Sequence, residues 1–292
     1  MRLVRVGMAG AERPGVMVSD REFVDVGHLT DDFDGAFFAC GGLARLEPEA
    51  ARLVADGRSR RIGGLRLGPP IARPHQILCI GLNYRDHAEE TGQAIPAEPI
   101  LFTKAPNTLV GPNDDVQIPL RCTKTDYEIE LGIVIGLRAH YLTDLDAAAK
   151  SIVGYVLVND VSERAFQLEH GGQWSEGKSC ATFNPCGPYL VTRNEVGDPQ
   201  NLDMWLDVNG ERRQSGNTRT MLFDVLNLVH YLSQFMVLEP GDLINTGTPP
   251  GVGIGMTPPT YLREGDIVEL GIPGLGQQRQ QLVAATARPV AG

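Results

Sequence analysis

The chain has 292 residues, 42% hydrophobic and 21% charged, which is long enough to bury a substantial core and too ordinary a balance for a disordered or fibrous chain. Its 26 basic and 36 acidic residues give a formal charge of -10, a sign that repels phosphate backbones and excludes general nucleic-acid binding. No run approaches the roughly 20 apolar residues of a membrane span, the start MRLVRVGMAGAERPG lacks a signal-peptide core, and five cysteines without a Cys-x-x-Cys pair fit free thiols in a reducing cytoplasm, the expected location.

Residues 1–70 read as a smaller N-terminal domain, with short β-type runs such as GVMVSDREFVDVG and a helical stretch EPEAARLVADG closed by glycine. The Gly/Pro-containing stretch GGLRLGPPIARP marks its end, and residues 71–292 read as the second, main domain. There, β-branched runs recur between Gly/Pro punctuation: QILCIGLNY, EPILFTK, YEIELGIVIG, SIVGYVLVNDV, GPYLVT, LDMWLDVNG, GDLINTG and DIVELGI. Three stretches look helical: RDHAEETG, DLDAAAKSI and MLFDVLNLVHYLSQFM. Without regular β-α-β alternation a doubly wound parallel sheet is disfavoured, and the fold class is α+β and β-rich. TGTPPGVGIGMTPP reads as a shaped loop following a strand.

The strongest chemical signal is Asp126-Tyr127-Glu128-Ile129-Glu130, because strand alternation points Glu128 and Glu130 the same way. A solvent-facing edge of an antiparallel sheet would produce the same pattern. A second acid, Asp160, closes the almost wholly apolar run SIVGYVLVNDV where a strand should end. Three carboxylates with no His or Cys cluster nearby suit a hard cation, Mg2+ first, with Mn2+ or Ca2+ as alternatives. His87 and Glu90 lie three residues apart on a short helix, a spacing that can produce a carboxylate-oriented general base or a solvated surface pair. Lys178, Arg164 and, more weakly, Lys104 are candidates for holding a substrate carboxylate, because three carboxylates around a divalent cation still carry negative charge. No phosphate loop, dinucleotide fingerprint, Gly-x-Ser-x-Gly elbow or His-Glu-x-x-His helix is present.

The segments IGLNYRDHAEE, EPILFTKAPN, DYEIELGIVIG, GYVLVNDVSER, GKSCATFNPCGP, VNGERRQSGNT and NTGTPPGVG occur in this order, and over roughly residues 71–285 the chain resembles the fumarylacetoacetate hydrolase family. The resemblance implies a rolled mixed sheet, a homodimer, and Mg2+ or Mn2+ held by Glu128, Glu130 and Asp160. It further implies that His87 and Glu90 sit on a lid that positions water, that Lys178 lies in the pocket, that Arg164 and Gln167 lie near the metal, and that Thr248 meets the substrate carboxylate. One departure is Leu82, where some acylpyruvate-cleaving relatives carry Arg. VNDVSERAFQLEHGGQW, GKSCATF and DPQNLDMWLDVNG are closest to hydrolases of 2,4-diketo-3-deoxy-L-fuconate and L-rhamnonate, which implies cleavage of a small 2-oxo acid at C3–C4 to pyruvate and L-lactate. Oxaloacetate decarboxylation, 2-oxo acid tautomerisation, ureidoglycolate cleavage and a non-catalytic metal-stabilised interaction protein are the alternatives.

Overall fold

In the computed structural model, which describes residues 1–90, 92 and 94–287 apart from the side chains of residues 87–89, the run YEIELGIVIG forms the strand Ile129–Ile135 with every residue buried. It is no solvent-facing edge. Ile152–Asn159 pairs with it on one side and Leu243–Asn245 on the other, both antiparallel. A strand covered on both faces needs apolar side chains at consecutive positions, which is what this run supplies. The sheet continues from Leu243–Asn245 to Ile77–Gly81, in parallel, and then to Ile100–Lys104. In the other direction it passes through Leu190–Thr192 to Arg2–Val6. Among the described residues this mixed sheet has eleven strands.

The N-terminal segment thus extends the main sheet. Arg2–Val6 also pairs with Arg13–Met17, which pairs with Glu22–Asp25. Leu3, Val16, Val24 and Phe33 share one apolar cluster with Ile77, Cys79, Val134 and Val156. The helix legible in EPEAARLVADG begins earlier than its sequence signal, spanning Gly42–Ala55 with Pro48 inside it.

A five-stranded sheet packs beside the first, built from Glu211–Asn217, Asp203–Val208, Ile267–Ile272, Gly276–Ala284 and Val116–Ile118. Its strand GQQRQQLVA is too polar to read as a buried strand from sequence. Gln278 and Gln280 are nevertheless buried, because Gln278 Nε2 donates to Leu157 O at 2.7 Å and to Gly187 O at 3.0 Å, and Gln280 Nε2 to Pro112 O at 2.5 Å. Full hydrogen bonding makes such burial tolerable.

The helices are shorter than the periodicity suggests. MLFDVLNLVHYLSQFM is helical only over Val225–Ser233, capped by Asp224, whose Oδ1 accepts from Asn227 N at 2.8 Å. The residues before it are held by Asn83 instead: Leu222 N donates to Asn83 O at 2.7 Å and Phe223 N to Asn83 Oδ1 at 2.9 Å. Two further helices, Arg164–Glu169 and Trp174–Lys178, have no periodic signal in the sequence, and both carry site residues.

Candidate functional site

The register of the two central strands builds the acidic cluster. Ile129 faces Asn159, so Glu128 and Asp160 come together just past the last paired residues, where Asp160 N donates to Glu128 O at 2.8 Å. Glu128, Glu130 and Asp160 are all buried and each offers a carboxylate oxygen, these atoms lying within 4.8 Å of one another. Burial, then the Asp160 and Glu128 charges, push the Glu130 carboxyl well above its usual range. The loop after Leu243–Asn245 supplies a donor to it, Gly247 N to Glu130 Oε2 at 2.8 Å.

Cations brace the cluster from two sides. Lys178 Nζ donates to Glu128 Oε2 at 2.5 Å, to Asp160 Oδ2 at 2.8 Å and to Asp160 O at 3.2 Å. Burial opposes its charge, but Asp160 and Glu128 outweigh that and hold the ammonium above its ordinary range. Arg164 forms a fork, giving Nε to Asp126 Oδ2 at 2.8 Å, one terminal nitrogen to Glu128 Oε1 at 2.7 Å and the other to Gln167 Oε1 at 2.9 Å. The two short helices that carry these residues meet at Gly177, where a Cβ would lie 2.5 Å from Gln167 N and from Glu163 O. Only glycine allows this approach, and with it the delivery of Lys178 to Asp160.

Lys104, expected to hold substrate, lies behind the cluster. Its ammonium donates to Asp160 Oδ1, to Val161 O at 3.0 Å and to Phe183 O at 2.7 Å, so all three of its N–H groups are engaged away from the cavity. The Thr248 hydroxyl is likewise committed, donating to Ile129 O at 2.9 Å and accepting from Gln214 Nε2 at 2.8 Å. Glu90 lines the cavity and accepts from Gly251 N at 2.9 Å, which ties the helix Arg85–Glu90 to the Pro/Gly loop. The side chain of His87 lies outside the described residues.

Sequence reasoning missed two organising residues. Asp126 accepts from Gly253 N at 2.7 Å and Ile254 N at 3.0 Å as well as from Arg164, so one carboxylate fixes both the loop and the guanidinium. The signal was its place two residues before Glu128. Gln214 ties Ile129 N to its Oε1 at 3.0 Å and Thr248 to its Nε2, and lies in a polar strand with no readable cue.

A cavity of about 550 Å³ opens over Glu128 and Glu130. Its walls include Leu82, Phe102, Leu168, Trp174, Ile254 and Met256. Phe102 and Trp174 pack edge to face at 5.4 Å, and Trp174 fits against Gly81, where a Cβ would come within 2.3 Å of the indole.

The family model for the fumarylacetoacetate (FAA) hydrolase C-terminal region matches residues 76–283. The chain belongs to the fumarylacetoacetate hydrolase family. A protein of Burkholderia multivorans, provisionally named a hydrolase, is 48% identical over 289 residues, covering 98% of this chain and 100% of that one. Among solved structures, 5-carboxymethyl-2-hydroxymuconate delta-isomerase of Mycobacterium smegmatis is 31% identical with a TM-score of 0.77. Maleylpyruvate hydrolase of Sphingobium sp. SYK-6, in complex with manganese(II) and pyruvate, is 27% identical with a TM-score of 0.80. Both alignments cover 98% of this chain and 100% of the other.

The residues present fit a divalent cation. The donors are carboxylate oxygens alone, the choice of a hard ion. Around them, the carboxyl groups of Asp126, Glu128, Glu130 and Asp160 outnumber the cations Lys104, Arg164 and Lys178, so ionising Glu130 leaves the buried cluster with an excess negative charge that a metal ion would offset.

Proposed function

We propose that this protein is a divalent-cation-dependent hydrolase that cleaves the C3–C4 bond of a 2,4-diketo acid, with 2,4-diketo-3-deoxy-L-fuconate or its L-rhamnonate isomer as the first substrates to test. The observation that supports this reading is the buried triad Glu128, Glu130 and Asp160, of which Glu128 and Glu130 line a cavity walled in part by apolar side chains. Manganese and pyruvate bound to a family member with 27% identity support Mn2+ alongside Mg2+ as the ion, and a 2-oxo acid as the ligand.

When bound, the cation supplies Lewis-acid polarisation of the 2-oxo acid and offsets the charge that develops on it. Glu128, Glu130 and Asp160 would hold it. Arg164 and Lys178 fix the Glu128 carboxylate by both oxygens, so the ligand is oriented before substrate arrives. Leu82, Trp174 and Met256 limit water to what the lid residues admit. His87 is the proposed base, taking a proton from the attacking water at an imidazole nitrogen, with Glu90 holding the lid helix against Gly251. Water adds hydroxide to C4 and a proton to C3, the C3–C4 bond breaks, and pyruvate leaves with a second carboxylate and one released proton.

The test is product analysis with both sugar-derived diketo acids, with Mg2+ or Mn2+ and with a chelator, following pyruvate and lactate. Equimolar products that vanish on chelation are the expected result. A second reading is supported by the delta-isomerase neighbour: the same site would tautomerise a 2-oxo acid. An ultraviolet change without pyruvate release would select it.

A further inference from the structure

Among the described residues, the charged groups lining the cavity are Glu90, Glu128, Glu130, Arg164 and Lys178. The two cations are both bonded to Glu128, and Glu90 accepts from Gly251 N at 2.9 Å. Arg213, close behind Met256, is turned to Glu211 at 2.9 Å. The remaining wall includes the apolar side chains of Leu82, Leu168, Trp174, Ile254 and Met256, and its other polar side chains, Gln167, Thr248 and Thr257, are uncharged. We infer that the cavity selects a monocarboxylic 2-oxo acid whose distal end is uncharged, and that Leu168, about half exposed at the wall, is a specificity-determining residue. This rests on the proposed function for the position of the substrate's own carboxylate, but the choice between a neutral and an anionic tail follows from the wall.

The physical reason is asymmetric. An alkyl or hydroxyalkyl tail loses little on entering such a wall and gains from leaving water. Among the described residues, a distal carboxylate would be stripped of water with no cation outside the Glu128 cluster on the wall to meet it, which disfavours it in both the bound and the reacting states.

The matched probes are 2,4-dioxoheptanoate and 2,4-dioxoheptanedioate, which differ only in a terminal methyl or carboxylate. They are compared for the full chain with Mn2+ by pyruvate release and, in parallel, by the shift in thermal midpoint on binding. The expected result is a preference for the monoacid on the order of 100-fold in kcat/KM, with Leu168→Lys reversing the trend by at least about tenfold in the diacid's favour. Equal or better binding and cleavage of the diacid by the wild type would overturn the inference while leaving the hydrolase reading intact. Tighter binding of the monoacid with no cleavage of either would uphold the selectivity and overturn the hydrolase reading. Binding of neither would overturn both.

Discussion

Replacing Glu130 by Gln separates metal binding from folding, because the two demands on this side chain oppose each other. Gln keeps the shape and can still accept from Gly247 N, and its amide NH2 would replace a carboxylate crowded by Asp160 and Glu128. The metal-free variant is therefore expected to be at least as stable as the wild type. Its response to cation should be largely lost. At Mn2+ 100 times the wild-type Kd, binding stabilises the native state by about 2.7 kcal/mol. A ~100-fold loss of affinity on removing one charged ligand leaves the variant about half saturated and stabilised by roughly 0.4 kcal/mol. At about 2–4 °C per kcal/mol for a chain somewhat shorter than this one, the wild type should gain roughly 5–10 °C and the variant about 1 °C. Differential scanning calorimetry across a Mn2+ titration reads both quantities. An undiminished Mn2+ response in the variant would refute Glu130 as a ligand, and a metal-free variant weakened by several kcal/mol would refute the charge-crowding argument.

Lys104→Met removes one of the two buried cations paired with Asp160, leaving Lys178 alone, and should cost up to about 3–5 kcal/mol, seen as a lower denaturant midpoint. If Lys104 instead binds substrate, KM would rise with the midpoint unchanged. Gly81→Ala drives a methyl into the Trp174 indole and should cost about 1–3 kcal/mol while lowering kcat/KM, which steady-state kinetics and thermal melting together would check. The pH dependence follows from Glu130. In the unfolded chain its carboxyl loses a proton near pH 4.5, whereas the folded metal-free protein keeps it to higher pH, so the folded state binds more protons and stability falls as pH rises through that window. Saturating Mn2+ should flatten this slope, because cation and proton compete for the same carboxylate; a parallel decline with and without Mn2+ would contradict it.

The acidic triad was legible because charges inside apolar runs are costly and therefore informative: Glu128 and Glu130 alternate within YEIELGIVIG, and Asp160 ends SIVGYVLVNDV. What the sequence withheld was the pairing register that brings Asp160 to Glu128, a property of two strands rather than of either one. The helices bearing Arg164 and Lys178 were invisible for a related reason. At six and five residues they have too few turns for periodicity, and they exist through their mutual packing at Gly177. Polar buried strands such as GQQRQQLVA defeat hydropathy because their stabilisation comes from glutamines that reach across to another sheet.

Lys104 is different, because a usable signal was present. In EPILFTK, strand alternation puts Phe102 and Lys104 on one face and Thr103 on the other, and the structure follows this, with Phe102 and Lys104 buried and Thr103 exposed. A lysine sharing a face with a buried phenylalanine needs an acid inside the protein, and Asp160, the carboxylate at the end of the other apolar strand, was an available partner besides being a candidate cation ligand. The same alternation that identified Glu128 and Glu130 thus contained the evidence that Lys104 is an interior lysine in need of an acid, and the contacts of its ammonium place it behind Asp160.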